Sequence, residues 1–152
     1  MPSNPYSANA HEHADGQKFL RRSKAGNLLV LVVEDHEDTR FILRWFLERG
    51  GCRVLEATDG FEAVEMAGRE QPDLIFIDDS LPLLSGLAAT RLIRQNTLLR
   101  EVLIVALSGW ATPSFHAAAL AAGCNKCSDK PIDFKRLRSL ITDLAGASCA
   151  AG

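Results

Sequence analysis

Short unbroken apolar runs alternate along this chain with longer stretches in which apolar residues recur at helical spacing. Leu28–Val33 (LLVLVV), Leu74–Ile77 (LIFI) and Val102–Leu107 (VLIVAL) are continuous runs, which predict strands buried on both faces. Cys52–Ala57 and Cys124–Ser128 predict two shorter strands. Helices fall between them. Thr39–Arg49 carries Phe41, Ile42, Trp45 and Phe46 at a spacing that predicts one inward face, and it stops at Gly50-Gly51. Phe61–Arg69 turns Phe61, Val64, Met66 and Ala67 inward and ends ahead of Pro72. Leu87–Gln95 places Leu87, Leu92 and Ile93 inward with Arg91 and Arg94 outward. Pro113 opens an alanine-rich helix that closes at Gly123, and Phe134–Leu144 is the last.

Strands alternating with helices five times over predict an α/β fold, a doubly wound five-stranded parallel sheet with helices on both faces. Residues 1–26 show no apolar period and predict a flexible N-terminal tail. Residues 27–145 then form one domain, and 146–152 a flexible C-terminal tail. Strands buried on both faces have no room for charge along their length. Their polar ends gather on the carboxyl rim of the sheet, where ligands bind in such folds.

That rim is chemically pointed. Glu34 and Asp35 follow the first strand, Asp78 ends the third, Ser108 ends the fourth, and Lys130 follows the fifth. Taken singly these positions are ambiguous. An aspartate after an apolar strand serves equally well to open a surface turn, and acidic residues at 34–38 also suit the dipole of the helix that follows. Taken together they are not. Three carboxylates at one edge repel one another and raise one another's pKa, a conflict that a hard divalent cation such as Mg2+ resolves with oxygen ligands. A hydroxyl and an ammonium beside them suit the other oxygens of a phosphoryl group. The chemistry suggested is attack of an aspartate carboxylate on phosphorus to give an acyl phosphate.

Composition narrows the classes. A balance of 17 basic against 19 acidic residues leaves no electrostatic footprint for nucleic acid, so no nucleic-acid partner is expected. No apolar run approaches a membrane span, and the N-terminus lacks the apolar core of a secretory signal, so the expected location is cytoplasmic, with no membrane partner. Cys52, Cys124, Cys127 and Cys149 do not make a disulfide framework. Cys124 and Cys127 form a C-x-x-C with no second pair to complete a zinc cage. If both lay on one strand, their spacing of three would send them to opposite faces, which favours reduced structural thiols. His11, Glu12 and His13, and the basic cluster Arg21, Arg22 and Lys24, read as parts of a solvated tail.

At these positions the chain resembles the response-regulator receiver domains, over about residues 27–145. The resemblance rests on the acidic pair Glu34-Asp35, on Asp78 with Pro82 four and Gly86 eight residues later, on Ser108, and on Lys130-Pro131. It implies a flavodoxin-like strand order 2-1-3-4-5. It also implies a response regulator of a two-component system or phosphorelay, here a single-domain one. Asp78 would be the phosphoacceptor. Glu34, Asp35, Asp78 and the Ser80 backbone carbonyl would hold Mg2+, and Ser108 and Lys130 would each pair with a phosphoryl oxygen. The donor would be a histidine kinase or a histidine phosphotransfer protein. Phosphorylation would change binding to an effector protein of unknown identity, with the chain a monomer or weak dimer. Such a protein is not an enzyme beyond its own aspartyl phosphotransfer and autodephosphorylation.

Three positions depart from the family pattern. Cys127 stands where an aromatic is usual, Trp110 lies two residues past the hydroxyl, and Ser80 two past the acceptor. An aspartate-nucleophile phosphatase on a similar sheet is the alternative, but it needs a second aspartate at the position of Ser80. A flavin-binding flavodoxin-like domain would need a phosphate-binding loop where the acidic EDHED run stands.

Overall fold

Each apolar run becomes a strand because only a two-sided burial accommodates it. The computed structural model describes residues 28–151, with side chains from 28 to 143; the His11–His13 and Arg21–Lys24 features lie outside the described residues. The strands are β1 (Leu29–Val33), β2 (Arg53–Ala57), β3 (Leu74–Asp78), β4 (Leu103–Ser108) and β5 (Lys126–Asp129). All pair in parallel, in the order β2-β1-β3-β4-β5. The helices are α1 (Glu37–Arg49), α2 (Gly60–Glu70), α3 (Gly86–Arg94), α4 (Pro113–Ala122) and α5 (Phe134–Ala151). The predicted fold class and strand order are therefore what the structure shows.

Strand alternation splits the core into two layers. Leu31, Val33, Ile75, Ile77, Ile104 and Ala106 face α2, α3 and α4, which meet them with Ala63, Ala67, Ala89, Ile93 and Ala119. Val30, Val32, Leu74, Phe76, Val105 and Leu107 face α1 and α5, met by Leu43, Leu47 and Leu137. The helices start on side-chain caps. His36 accepts from the Thr39 N–H, Asp59 from Glu62, Ser85 from Ala88 and Thr112 from Phe115. From β1 the chain steps one way to β2 and then the other way to β3. The carboxyl ends of β1 and β3 thus flank the crevice where the strand order reverses.

Several inward faces differ from those the spacing predicts. In α1, Phe41, Ile42 and Trp45 are exposed, and the helix packs through Leu43 and Leu47, with Phe46 half-buried against the Phe134 ring at 4.8 Å. Residues 41, 42, 45 and 46 and the pair 43 and 47 each satisfy helical spacing. With Leu43 and Leu47 packed into the cluster of Val30, Val32 and Phe76, Arg40 and Arg44 reach over the sheet edge to Glu56 in β2. Phe61 is exposed because Gly60 before it lies against the Leu84 backbone, leaving Ala63 and Ala67 to make the contact. Leu92 is partly exposed, whereas Arg94 turns inward. Its guanidinium donates to the carbonyls of Gly123 (2.9 Å), Leu99 (3.0 Å) and Val102 (2.8 Å) and to Asn125 Oδ1 (2.8 Å).

β5 begins at Lys126, so Cys124 precedes it and the parity argument fails: Cys124 and Cys127 pack against the same cluster. Cys52, Cys124 and Cys127 are free thiols. Burial pushes all three up, Cys52 to about 11, with Asp73 adding to the effect there. α5 continues to Ala151, past the predicted end at Leu144. Among the described residues no helix is long and apolar enough to cross a membrane.

Candidate functional site

The sheet delivers Asp78 as the last residue of β3, opposite Leu107 in register and buried with only 3% of its surface exposed. Glu34 lies one residue past the end of β1, at 1% exposure, its N–H extending the β1–β2 ladder to the Ala57 carbonyl at 3.0 Å. Asp35 beside it is exposed. One carboxylate oxygen from each of Glu34, Asp35 and Asp78 lies within 4.8 Å of the others. Two buried acids and one open to solvent form a cluster of hard oxygen donors, a donor set that fits a Mg2+-type cation. The three acids predicted to meet do meet. Ser80 follows in an exposed bend.

Lys130 closes the site from the β5 end. Its ammonium sits 2.7 Å from Asp78 Oδ1 and 2.9 Å from Glu34 Oε1. Burial works to lower its pKa, but the bonds to Asp78 and Glu34 and their charges outweigh it and hold the ammonium above the ordinary lysine value. The Lys130 N–H also bonds the Ser108 carbonyl at 2.9 Å, which ties the two loops together. Ser108 itself is buried at the end of β4, and its Oγ accepts the Trp110 N–H at 3.0 Å. Trp110 is 83% exposed, so this residue meets the site through its backbone while its side chain faces solvent.

Asp79 points away from this cluster, as strand alternation requires. Its carboxylate is pushed up by burial and by the Asp78 charge, while a Leu87 N–H at the start of α3 pulls it down. With Ser80 exposed as well, neither residue supplies the second acid that a phosphatase reading needs.

One supporting position escaped the sequence reading, and a second showed there only as part of a motif. The His36 N–H donates to Glu34 Oε2 at 3.0 Å, so the α1 cap also fixes a site carboxylate; histidine is a weak N-cap signal, and nothing in the spacing marks it. Gly86 was visible only as a spacing. In the structure its N–H bonds the Asp79 carbonyl at 3.1 Å, and a Cβ there would run into the Asp78 carbonyl oxygen. A glycine is needed because backbone approaches backbone at Asp78 itself.

Residues 30–142 match the family model described as the response regulator receiver domain. The chain is 30% identical over 117 residues to the polar-differentiation response regulator DivK of Brucella anthropi, covering 77% of this chain and 95% of that protein. Among solved structures it is similar to the receiver domain of the sensor histidine kinase PA1611 from Pseudomonas aeruginosa, which carries a magnesium ion in its active-site cleft. That match has 33% identity and a TM-score of 0.73, over 79% of this chain and 98% of that one. It is also similar to the Saccharomyces cerevisiae receiver domain of Ssk1, solved with the histidine phosphotransfer protein Ypd1. Here identity is 32% and the TM-score 0.72, over 79% of this chain and 90% of the matched chain.

Proposed function

The chain belongs to the response-regulator receiver family, and from that premise we propose that Asp78 is its phosphoacceptor, fed by a histidine kinase or a histidine phosphotransfer protein. The observation that carries this reading is the buried carboxylate at the end of β3, contacted by Lys130 at 2.7 Å and set beside two further acids. An Asp78 oxygen attacks the phosphorus of a phosphohistidine. The O–P bond forms as the P–N bond breaks, and the imidazole leaves with its electron pair.

Glu34, Asp35, Asp78 and the Ser80 backbone carbonyl are the residues that would hold Mg2+. The cation supplies charge neutralisation for the phosphoryl oxygens and for the acids themselves. Lys130 anchors Asp78 before transfer and pairs with a phosphoryl oxygen after it. The Ser108 hydroxyl donates to another. The protein's chemistry is confined to its own phosphotransfer and autodephosphorylation. Its output is a changed affinity for an effector protein in the cytoplasm, reached as a monomer or weak dimer.

The test is labelling with acetyl phosphate and Mg2+, read by intact mass. Wild type should gain one phosphoryl group and Asp78→Asn none. Label that persists in Asp78→Asn would move the acceptor elsewhere, with Asp79 the first position to examine.

A further inference from the structure

We infer that Arg40 and Glu56, outside the acidic cluster, are positioning residues that set the orientation of Asp35 and so the cation affinity of the site; this rests on the metal assignment above. Arg40 sits one turn into α1. Its Nη1 donates to the Glu34 carbonyl at 3.0 Å, and its Nε to Glu56 Oε1 at 2.9 Å. Glu56 lies in β2 opposite Val32, and its second oxygen takes Arg44 Nη1 at 2.8 Å. The Arg40 and Glu56 side chains are 18% and 28% exposed, so this is not a freely screened surface pair.

What the clamp holds is the peptide group joining Glu34 to Asp35. The Glu34 N–H is tied to Ala57, its Oε1 to Lys130 and its Oε2 to His36, so Glu34 is fixed on every side. Asp35 is different. It is exposed, and among the described residues its carboxylate makes no hydrogen bond. Its direction therefore follows from the peptide behind it, and the only side chain bonded to that peptide's oxygen among the described residues is Arg40. Partners at one remove from a metal commonly govern affinity in this way, by orienting the ligand rather than touching the ion.

Charge alone predicts the opposite sign, which makes the inference testable. Arg40 is a cation near a cation site, so its removal should tighten Mg2+ binding if only electrostatics acts. Positioning predicts weaker binding. Calorimetric titration of the full chain with Mg2+ should show about tenfold weaker binding in Arg40→Ala, the lower end of the range for such partners. Glu56→Ala, which frees Arg40, should weaken binding similarly, and the double variant no further. Glu56→Gln keeps an acceptor for Arg40 and should stay within about twofold of wild type.

Thermal melts without Mg2+ establish that each variant is folded. If Arg40→Ala does not fold, the contrast between Glu56→Gln and Glu56→Ala decides alone. Unchanged or tighter binding in Arg40→Ala overturns the inference, as does Glu56→Gln losing as much affinity as Glu56→Ala. A wild-type chain that binds no Mg2+ overturns the metal assignment itself, an outcome distinct from variants that fail to shift a measured affinity.

Discussion

Replacing Lys130 with methionine should cost stability in the absence of Mg2+ and return much of it in its presence. The Lys130 ammonium lies 2.7 Å from Asp78 and 2.9 Å from Glu34. At an effective dielectric near 20 each contact represents roughly 6 kcal/mol of gross attraction. The net value is far smaller, because three charges have left water and the two carboxylates repel. Deleting one partner of a buried pair costs about 3–5 kcal/mol. Lys130 keeps 26% of its side chain exposed, so water recovers part of that loss. An expected cost of about 2–3 kcal/mol corresponds to a fall of roughly 10 °C in Tm for a domain of this size. Methionine fills the space of the lysine stem, so the change isolates charge from packing. Lys130 also occupies the oxygens that would hold the cation, and Lys130→Met should therefore bind Mg2+ more tightly than wild type. With Mg2+ at about 100 times its Kd, roughly 2.7 kcal/mol returns. The assay is thermal melting by circular dichroism with and without Mg2+. An unchanged Tm without Mg2+, or equal Mg2+-induced shifts in the two proteins, would refute the reasoning.

Three further outcomes are expected. The Cys52 thiol is raised from its ordinary value to about 11 when folded, so the unfolded chain gives up its proton first as pH rises. Stability should fall by about 2–3 kcal/mol between pH 9 and 11, and urea melts of Cys52→Ala should lack that part of the slope. Gly86→Ala forces a Cβ onto the Asp78 carbonyl and should abolish acetyl phosphate labelling while leaving Mg2+-independent secondary structure largely in place, as read by intact mass and far-UV circular dichroism. In a Trp45→Phe background, beryllofluoride with Mg2+ should shift Trp110 fluorescence, because drawing in the Ser108 hydroxyl disturbs its bond to the Trp110 N–H; Ser108→Ala should remove the shift.

β1, β3 and β4 were legible because burial on both faces leaves an unbroken apolar run, and the boundaries of all five strands moved by only one or two residues. Lys130, after the partly exposed KCSD strand, was placed by element order alone; Asp78, Glu34, Asp35 and Ser108 were legible for the same reason as the runs. A polar residue directly after such a run can only stand at the rim, and in a parallel sheet all those rims coincide. Helix faces were less legible. A pattern such as Phe41-Ile42-x-x-Trp45-Phe46 offers two overlapping stripes, and which one is buried depends on a partner absent from the local sequence. For α1 that partner is the sheet face carrying Val30, Val32 and Phe76, against which Leu43 and Leu47 are buried. Arg94 shows the converse: a charged residue at the end of an amphipathic helix reads as solvent-facing, yet four backbone carbonyls and Asn125 give its guanidinium a place inside.

The same distinction separates the parts of the site. Residues that touch the reacting group must lie at strand ends, so topology announces them. Residues that hold those in place need only reach them, and reach is a property of side-chain length and of which helix flank packs down. Arg40 becomes a clamp on the Glu34 carbonyl because α1 buries Leu43 and Leu47. Had the Phe41–Trp45 stripe been the buried one, as its composition suggests, Arg40 would have rotated away from β2. The exposed aromatic surface of α1 and the anchored peptide beside Asp35 are thus two consequences of one packing choice. Substitutions that favour the other stripe should disturb the acidic pair without touching it. Phe41→Glu together with Trp45→Lys, which makes the exposed stripe still less able to turn inward, should accordingly leave Mg2+ affinity within about twofold of wild type. Leu43→Ser with Leu47→Ser, which removes the buried stripe, should weaken Mg2+ binding in whatever fraction stays folded. A calorimetric titration in which the first double variant lost its affinity would mean that Asp35 is oriented by something other than the packing of α1.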